Sequence, residues 1–329
     1  MRPVRLAWLL LSTLFLMGFP FVFGSGGGTS LLEQIFVFGA FAMSYDLLIG
    51  YTGIVSFGHA MFFGTGAYAV AIVLSKTGGS TVGLLLGFLI AMTISILLSL
   101  VVAFLSLRVR HTYFAMVTLA VGQVFFVLAG SQPLRPLTNA NDGISVLTPV
   151  WLNSNLAVYY FILIFLAIVT LFLHRFIHSP FGEVLRALRE NESRAKALGY
   201  RIFHYKTLAF LLSGLIATLA GGMYVVVESF VSTSVYDIGS VSLQVVLMTI
   251  VGGVGTLYGG LIGAGIILWL QNELANLAGS YPVFNHAEIA FGVLYVLVVR
   301  FLPNGILGTL KGRKGRWRWT SQTFKKSQT

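Results

Sequence analysis

Apolar runs of eighteen or more residues recur along this 329-residue chain from one end to the other. A helix of that length is roughly 27 Å long at 1.5 Å per residue, close to the ~30 Å hydrocarbon core of a bilayer. Only 9% of residues are charged and 57% are hydrophobic, with a mean hydropathy of +0.88. A water-soluble surface of this size needs far more polar groups to cover it. Ten runs are legible, at about 6–24, 31–50, 54–75, 82–107, 113–130, 157–174, 207–228, 241–257, 258–278 and 286–302. The chain therefore reads as all-α: a polytopic transmembrane helical bundle of about ten spans, forming one membrane domain over 1–329.

Ten spans put both termini on one side. The net charge of +11 then has a membrane explanation. With the N-terminus inside, 19 of the 21 lysines and arginines fall on the inner side, in 1–5, at Arg108 and Arg110, in 175–206, at Arg300 and in a basic tail over 311–329. Only Lys76 and Arg135 fall outside, as the positive-inside rule requires. That distribution argues against nucleic acid and for a tail seated on anionic headgroups with Trp317 and Trp319 at the interface. Arg2, Arg5 and the following apolar run resemble a signal peptide, but Phe19, Phe21 and Phe23 stand where a cleavage site wants small side chains.

Catalytic chemistry is hard to find. The chain has no cysteine, which excludes disulfides, thiolate metal sites and cysteine nucleophiles. His174 and His178 have the i, i+4 spacing of a metal pair but no third ligand nearby, so interfacial anchoring suits them better. Residues 53–58 resemble a nucleophile elbow but carry one residue too many between Gly53 and Ser56, and no phosphate-cradling G-x4-G-K-[ST] occurs. No cofactor or metal is expected, and the chain reads as a transporter component rather than an enzyme.

Candidates for a solute path come from groups that are costly within a membrane. Asp46 and His59 fall inside spans, whereas Glu33, Glu228, Glu273 and His286 fall near outer ends. Asp46 can line the path or hydrogen-bond a neighbouring helix. Two segments rich in glycine, 50–66 and 252–265, each follow one span and open the next on the inner half. Paired interruptions of this kind mark binding routes in transporters. Asp46, Ser56, Gly58, His59, Gly64, Gly253 and Gly255 are the candidate path residues. Close helix packing competes as an explanation, with Gly83/Gly87 and Gly255/Gly259/Gly263 at suitable spacing.

The segment 175–206 is the longest charged one. Within it Ser179 and Pro180 can start a helix and Gly199 can end it. Val184, Leu185, Leu188, Ala195 and Leu198 make an apolar stripe, with Glu183, Arg186, Arg189, Glu190, Glu192, Arg194 and Lys196 on the other face. So many carboxylates favour a protein partner over lipid alone.

Asp46 through Tyr68, with its core Gly-Tyr-Thr-Gly-Ile-Val-Ser-Phe-Gly-His (50–59), resembles the signature of the branched-chain amino acid permeases of ABC importers, specifically the longer, LivM-type, of two paired subunits. Asn141-Asp142-Gly143, Ser179 through Gly199, Gly252 through Gly260 and Pro303-Asn304-Gly305 extend the resemblance over nearly the whole chain. It implies a bacterial inner-membrane location, a paralogous permease subunit, two cytoplasmic ABC ATPases and a binding protein that delivers the solute. It also implies that 175–206 is the cytoplasmic coupling loop, with Glu183, Arg186, Arg189, Glu190, Ala195, Ala197 and Gly199 at the ATPase. The family's Glu-Ala-Ala-x3-Gly motif is only loosely kept here. Related permeases carry urea or short amides; His59 and Ala67 lean this chain toward amino acids. A self-sufficient gradient-driven carrier is the rival of a different class.

Overall fold

The computed structural model of the protein describes residues 18–20, 27–106, 111–280, 300 and 305–310. The runs at 6–24 and 286–302, Arg108 and Arg110, His286 and the tail 311–329 lie wholly or almost wholly outside them. The other eight runs each hold a helix: α1 (Gly27–Ile49), α2 (Ala60–Thr77), α3 (Thr81–Ser106), α4 (His111–Ala129), α5 (Asn155–Ile177), α8 (Ile202–Glu228), α9 (Leu243–Gly252) and α10 (Tyr258–Ser280). Between α5 and α8 lie α6 (Pro180–Glu190) and α7 (Glu192–Ala197), and α11 (Gly305–Leu310) comes last. Among the described residues, five helices (α1, α2, α3, α5 and α8) are long and apolar enough to cross a bilayer alone. A sixth apolar helix, within α4, continues into the helical turns of 132–142 through a 62° bend. At ten residues, or fifteen with the π-helical turn Ile238–Ser242 before it, α9 is too short to cross alone.

α1 is the axis of the bundle: Val37, Ala40, Phe41, Met43, Tyr45, Leu47 and Leu48 have no exposed surface. α2 and α8 flank it and run in the same direction, with Phe62 meeting Phe210 and Gly66 meeting Thr218. On α3 the buried positions Gly83, Gly87, Ala91, Ser95, Ser99 and Ala103 recur every fourth residue. This small-residue stripe lets α3 approach α2 at Gly87 and Val70 and α8 at Ser95 and Thr218, whose hydroxyls bond at 2.9 Å. Its opposite face turns Leu85, Leu89, Leu97 and Phe104 outward, a surface suited to hydrocarbon.

The ends opposite α6 are tied by a two-stranded antiparallel ladder, β1 (Ile144–Ser145) against β2 (Phe230–Val231). Beside it Gly143 takes φ +74 with the Phe230 ring against its Cα, so a side chain fits neither the conformation nor the space.

Candidate functional site

The third run was expected to start its helix near residue 54. The helix starts instead at Ala60, and residues 50–59 are irregular backbone inside the bundle. Such backbone survives at membrane depth only where its polar groups find partners. Here they do. The amides of Gly50 and Thr52 donate back to the carbonyls of Asp46 and Leu48, at 2.7 and 2.9 Å. Phe57 N–H donates to Thr118 Oγ1 at 3.3 Å, and Ala60 N–H, the first of α2, donates to Ser242 Oγ at 2.8 Å.

At the top of this segment His59 is fully buried against Phe41, Tyr45, Phe62 and Phe210, with ring centroids 5.4–6.4 Å away. Its Nε2 lies 2.9 Å from Ser213 Oγ, near the middle of the 27-residue α8, and Ser213 donates to the Ser44 carbonyl at 2.6 Å. Because the Ser213 proton is committed to Ser44, the hydroxyl accepts from His59, which places the imidazole proton on Nε2. Nδ1 is then an acceptor with no partner, and the buried Ser56 hydroxyl has none either. Gly58 and Gly64 are closely packed. The Thr118 carbonyl lies against the Gly58 Cα and the Tyr236 ring against Gly64, so both glycines hold tight packing in this conformation.

Asp46, Gly253 and Gly255 come together at the C-terminal end of α1. The Asp46 carboxylate accepts from Gly255 N–H at 2.6 Å and from Leu257 N–H at 2.9 Å. These are hydrogen bonds to a neighbouring element, one of the roles open to Asp46 from sequence. Gly253 and Gly255 take φ +118 and +79, and Leu257 takes +59, so the turn between α9 and α10 points its amides at the carboxylate. Tyr51 Oη donates to the Gly255 carbonyl at 3.3 Å, joining the two glycine loops directly. Gly305 packs backbone to backbone on Gly253.

The expected amphipathic helix over 180–198 is two helices rather than one. Asn191 is extended, with φ −157, and its side chain caps α7 by accepting from Arg194 N–H at 2.9 Å. Ser179 caps α6 from the other side, accepting from Gly182 N–H at 3.4 Å. Leu185, Leu188 and Ala195 are buried as the stripe required, but Leu198 is exposed. Arg189, assigned from sequence to the outer face, turns inward: its Nη1 donates to the Gly50 carbonyl. The Arg186 guanidinium stands 5.4 Å over the Tyr51 ring while also pairing with Glu183 at 2.6 Å. Burial pulls the Arg189 guanidinium below its usual range, opposed by Asp46, Tyr51 and Glu190. α7 is held to α8 by Lys206, which donates to Glu192 at 2.7 Å. Glu190, Ala197 and Gly199 are exposed, and Phe181, Val184, Ala187, Tyr200 and Tyr205 line a groove on α6 and around the start of α8. Nothing in the sequence marks Ser44 or Ser213, serines on apolar helices, as partners of His59.

His174 and His178 do not form a metal pair: His174 Nδ1 lies 3.1 Å from Tyr258 Oη, and His178 Nδ1 donates to the His174 carbonyl at 2.7 Å. Among the described residues no three His, Asp or Glu side chains gather as a metal site would need.

The chain is similar in sequence to several known permeases. The high-affinity branched-chain amino acid transport system permease protein LivM of Salmonella typhimurium is 23% identical over 88% of this chain and 72% of its own length. A probable branched-chain amino acid transport permease protein LivM of Methanocaldococcus jannaschii is 28% identical over 46% of each chain. The ribose import permease protein RbsC of Haemophilus influenzae is 30% identical over 40% of this chain and 41% of its own. No solved structure matches significantly. The family model for the permease component of branched-chain amino acid transport systems matches residues 29–302, which hold both glycine loops and α6–α7, and the chain belongs to that family.

Proposed function

We propose that the chain is the membrane subunit of an ATP-driven importer and passes branched-chain amino acids through a route beside His59. The family match across both glycine loops and the α6–α7 element carries this reading. A paralogous permease, two cytoplasmic ATPases on the α6–α7 face and a solute-binding protein on the opposite side complete the assembly. Ser56 Oγ and His59 Nδ1, polar and unpaired, are the groups that meet the solute's charged ends when the bundle opens. Phe41, Tyr45, Phe62 and Phe210 suit an aliphatic side chain better than a ring of hydroxyls, which favours an amino acid over the ribose of the shorter-matching relatives.

The whole importer in proteoliposomes tests this. Labelled leucine should enter only with ATP and binding protein, and ribose or urea should not compete. Uptake by the chain alone down a gradient, or competition by ribose, overturns it. Both termini lie in the cytoplasm in this reading, with Lys76 outside. In intact cells Lys76→Cys should react with an impermeant thiol reagent and Gln322→Cys should not; the opposite pattern reverses the orientation.

A further inference from the structure

We infer that Arg189 and Asp46 form a two-part latch that ties the surface helix α6 to both glycine loops, and that movement of α6 opens or closes the inner end of the route through it. The inference rests on the reading of α6–α7 as the ATPase-facing element. It assigns the transmission to two positioning residues that touch neither solute nor nucleotide.

The geometry has three links. First, the Asp46 carboxylate holds the turn between α9 and α10 by two backbone amides, from Gly255 and Leu257. Second, Arg189 of α6 donates to the carbonyl of Gly50, one turn beyond Asp46, where the 50–59 segment begins. Third, the loops are pressed together: any side chain at Gly50 would meet Asp46 and the Gly255 amide, and Arg189 packs on both Gly53 and Gly255. Tyr51 closes the ring by bonding Gly255 on one side and stacking under Arg186 on the other. Asp46 and the turn it holds are 209 and 211 residues apart in sequence, so α6 touches at one point the two segments that must separate for the inner end to open. A surface helix needing only to adhere to the bundle would use its apolar stripe. Arg189 instead spends a half-buried cation on a main-chain carbonyl, which makes the position of Gly50 depend on that of α6.

The test uses the complete importer in proteoliposomes and reads labelled leucine moved per ATP hydrolysed. Arg189→Gln should lower that ratio at least tenfold while the ATPases co-purify and hydrolyse ATP. Arg189→Lys, which keeps a charged donor on a shorter reach, should fall between. Asp46→Asn leaves one acceptor for two amides and should also uncouple. Because the two residues act as one unit, the double variant should be no worse than the more severe single. A ratio within twofold of the parent in Arg189→Gln overturns the latch, and so do effects that multiply. Loss of the ATPases from Arg189→Gln also overturns it, by making Arg189 a docking contact. Should Asp46→Asn fail to assemble, Arg189→Gln and Arg189→Lys still decide, since Arg189 belongs to a surface helix. Failure of the parent to need ATP would instead remove the underlying reading of the protein.

Discussion

The two glycine loops use their glycines for different ends. The first, 50–59, bears side chains that matter: Thr52, Ser56 and His59 are buried polar groups, and His59 bonds to two further helices through Ser213 and Ser44. The second, 253–257, works through its backbone. Three of its five residues have positive φ, and its amides and carbonyls are what Asp46 and Tyr51 grip. One loop presents chemistry; the other presents a main-chain shape. The lesson is that a common composition does not mean a common role, because glycine can provide room for neighbours or freedom of φ.

Substitution can break this contrast. The largest effect is expected at Gly253→Ala, where φ +118 and ψ 108 lie outside what a side chain tolerates and Gly305 packs on the backbone. Strain of about 1–3 kcal/mol follows. The purified subunit should show a clearly lower melting temperature and poor recovery with its partners. Normal melting and recovery would show that the second loop is not a main-chain device.

His59→Gln should act on transport and spare stability. A glutamine amide can still donate to Ser213, but it offers no acceptor where Nδ1 stood. Leucine uptake should fall about tenfold, equivalent to ~1.4 kcal/mol, with assembly intact. Uptake at the parental rate would remove the first loop's claim to chemistry and make both loops structural. The smallest effect is expected at Thr52→Ala. Its hydroxyl donates to the Leu48 carbonyl at 2.7 Å and receives the Ile54 amide at 3.3 Å, yet that amide also reaches Leu48 at 3.4 Å. A loss of about 0.5–1.5 kcal/mol in stability is expected, with uptake within threefold. A larger fall would place Thr52 beside His59 among the groups the solute meets.

Much of this site was legible in the sequence because its signals are local. The apolar runs, the capped amphipathic segment starting at Ser179 and the two glycine clusters can each be read within a window of about twenty residues. The four-residue repeat of small residues from Gly83 through Ser95 to Ala103 is equally local, although Gly83 and Gly87 alone stand out from their apolar neighbours. Residues 54–59 were assigned to a helix because Ile54, Val55 and Phe57 are apolar. In a membrane protein hydropathy reports burial, and this segment is buried without being helical. The amphipathic stripe similarly placed Arg189 with the outward charges. A long cationic side chain near the edge of a stripe can turn either way, and the free Gly50 carbonyl decided which.

The sequence by itself determined that this chain is a polytopic helical membrane protein, that most of its apolar runs hold helices, and that a capped amphipathic element interrupts them. These follow from composition and periodicity, since backbone groups in hydrocarbon must be satisfied within each segment. Only the tertiary structure decided what the few polar side chains do. Nothing near Asp46 in sequence names its partners; the fold brings it the amides of Gly255 and Leu257, more than two hundred residues away. His59 could have been any buried histidine; Ser213 fixed its tautomer and left Nδ1 free. A buried polar group takes its role from whichever donor or acceptor the fold brings within 3 Å of it, and sequence spacing carries no record of that meeting.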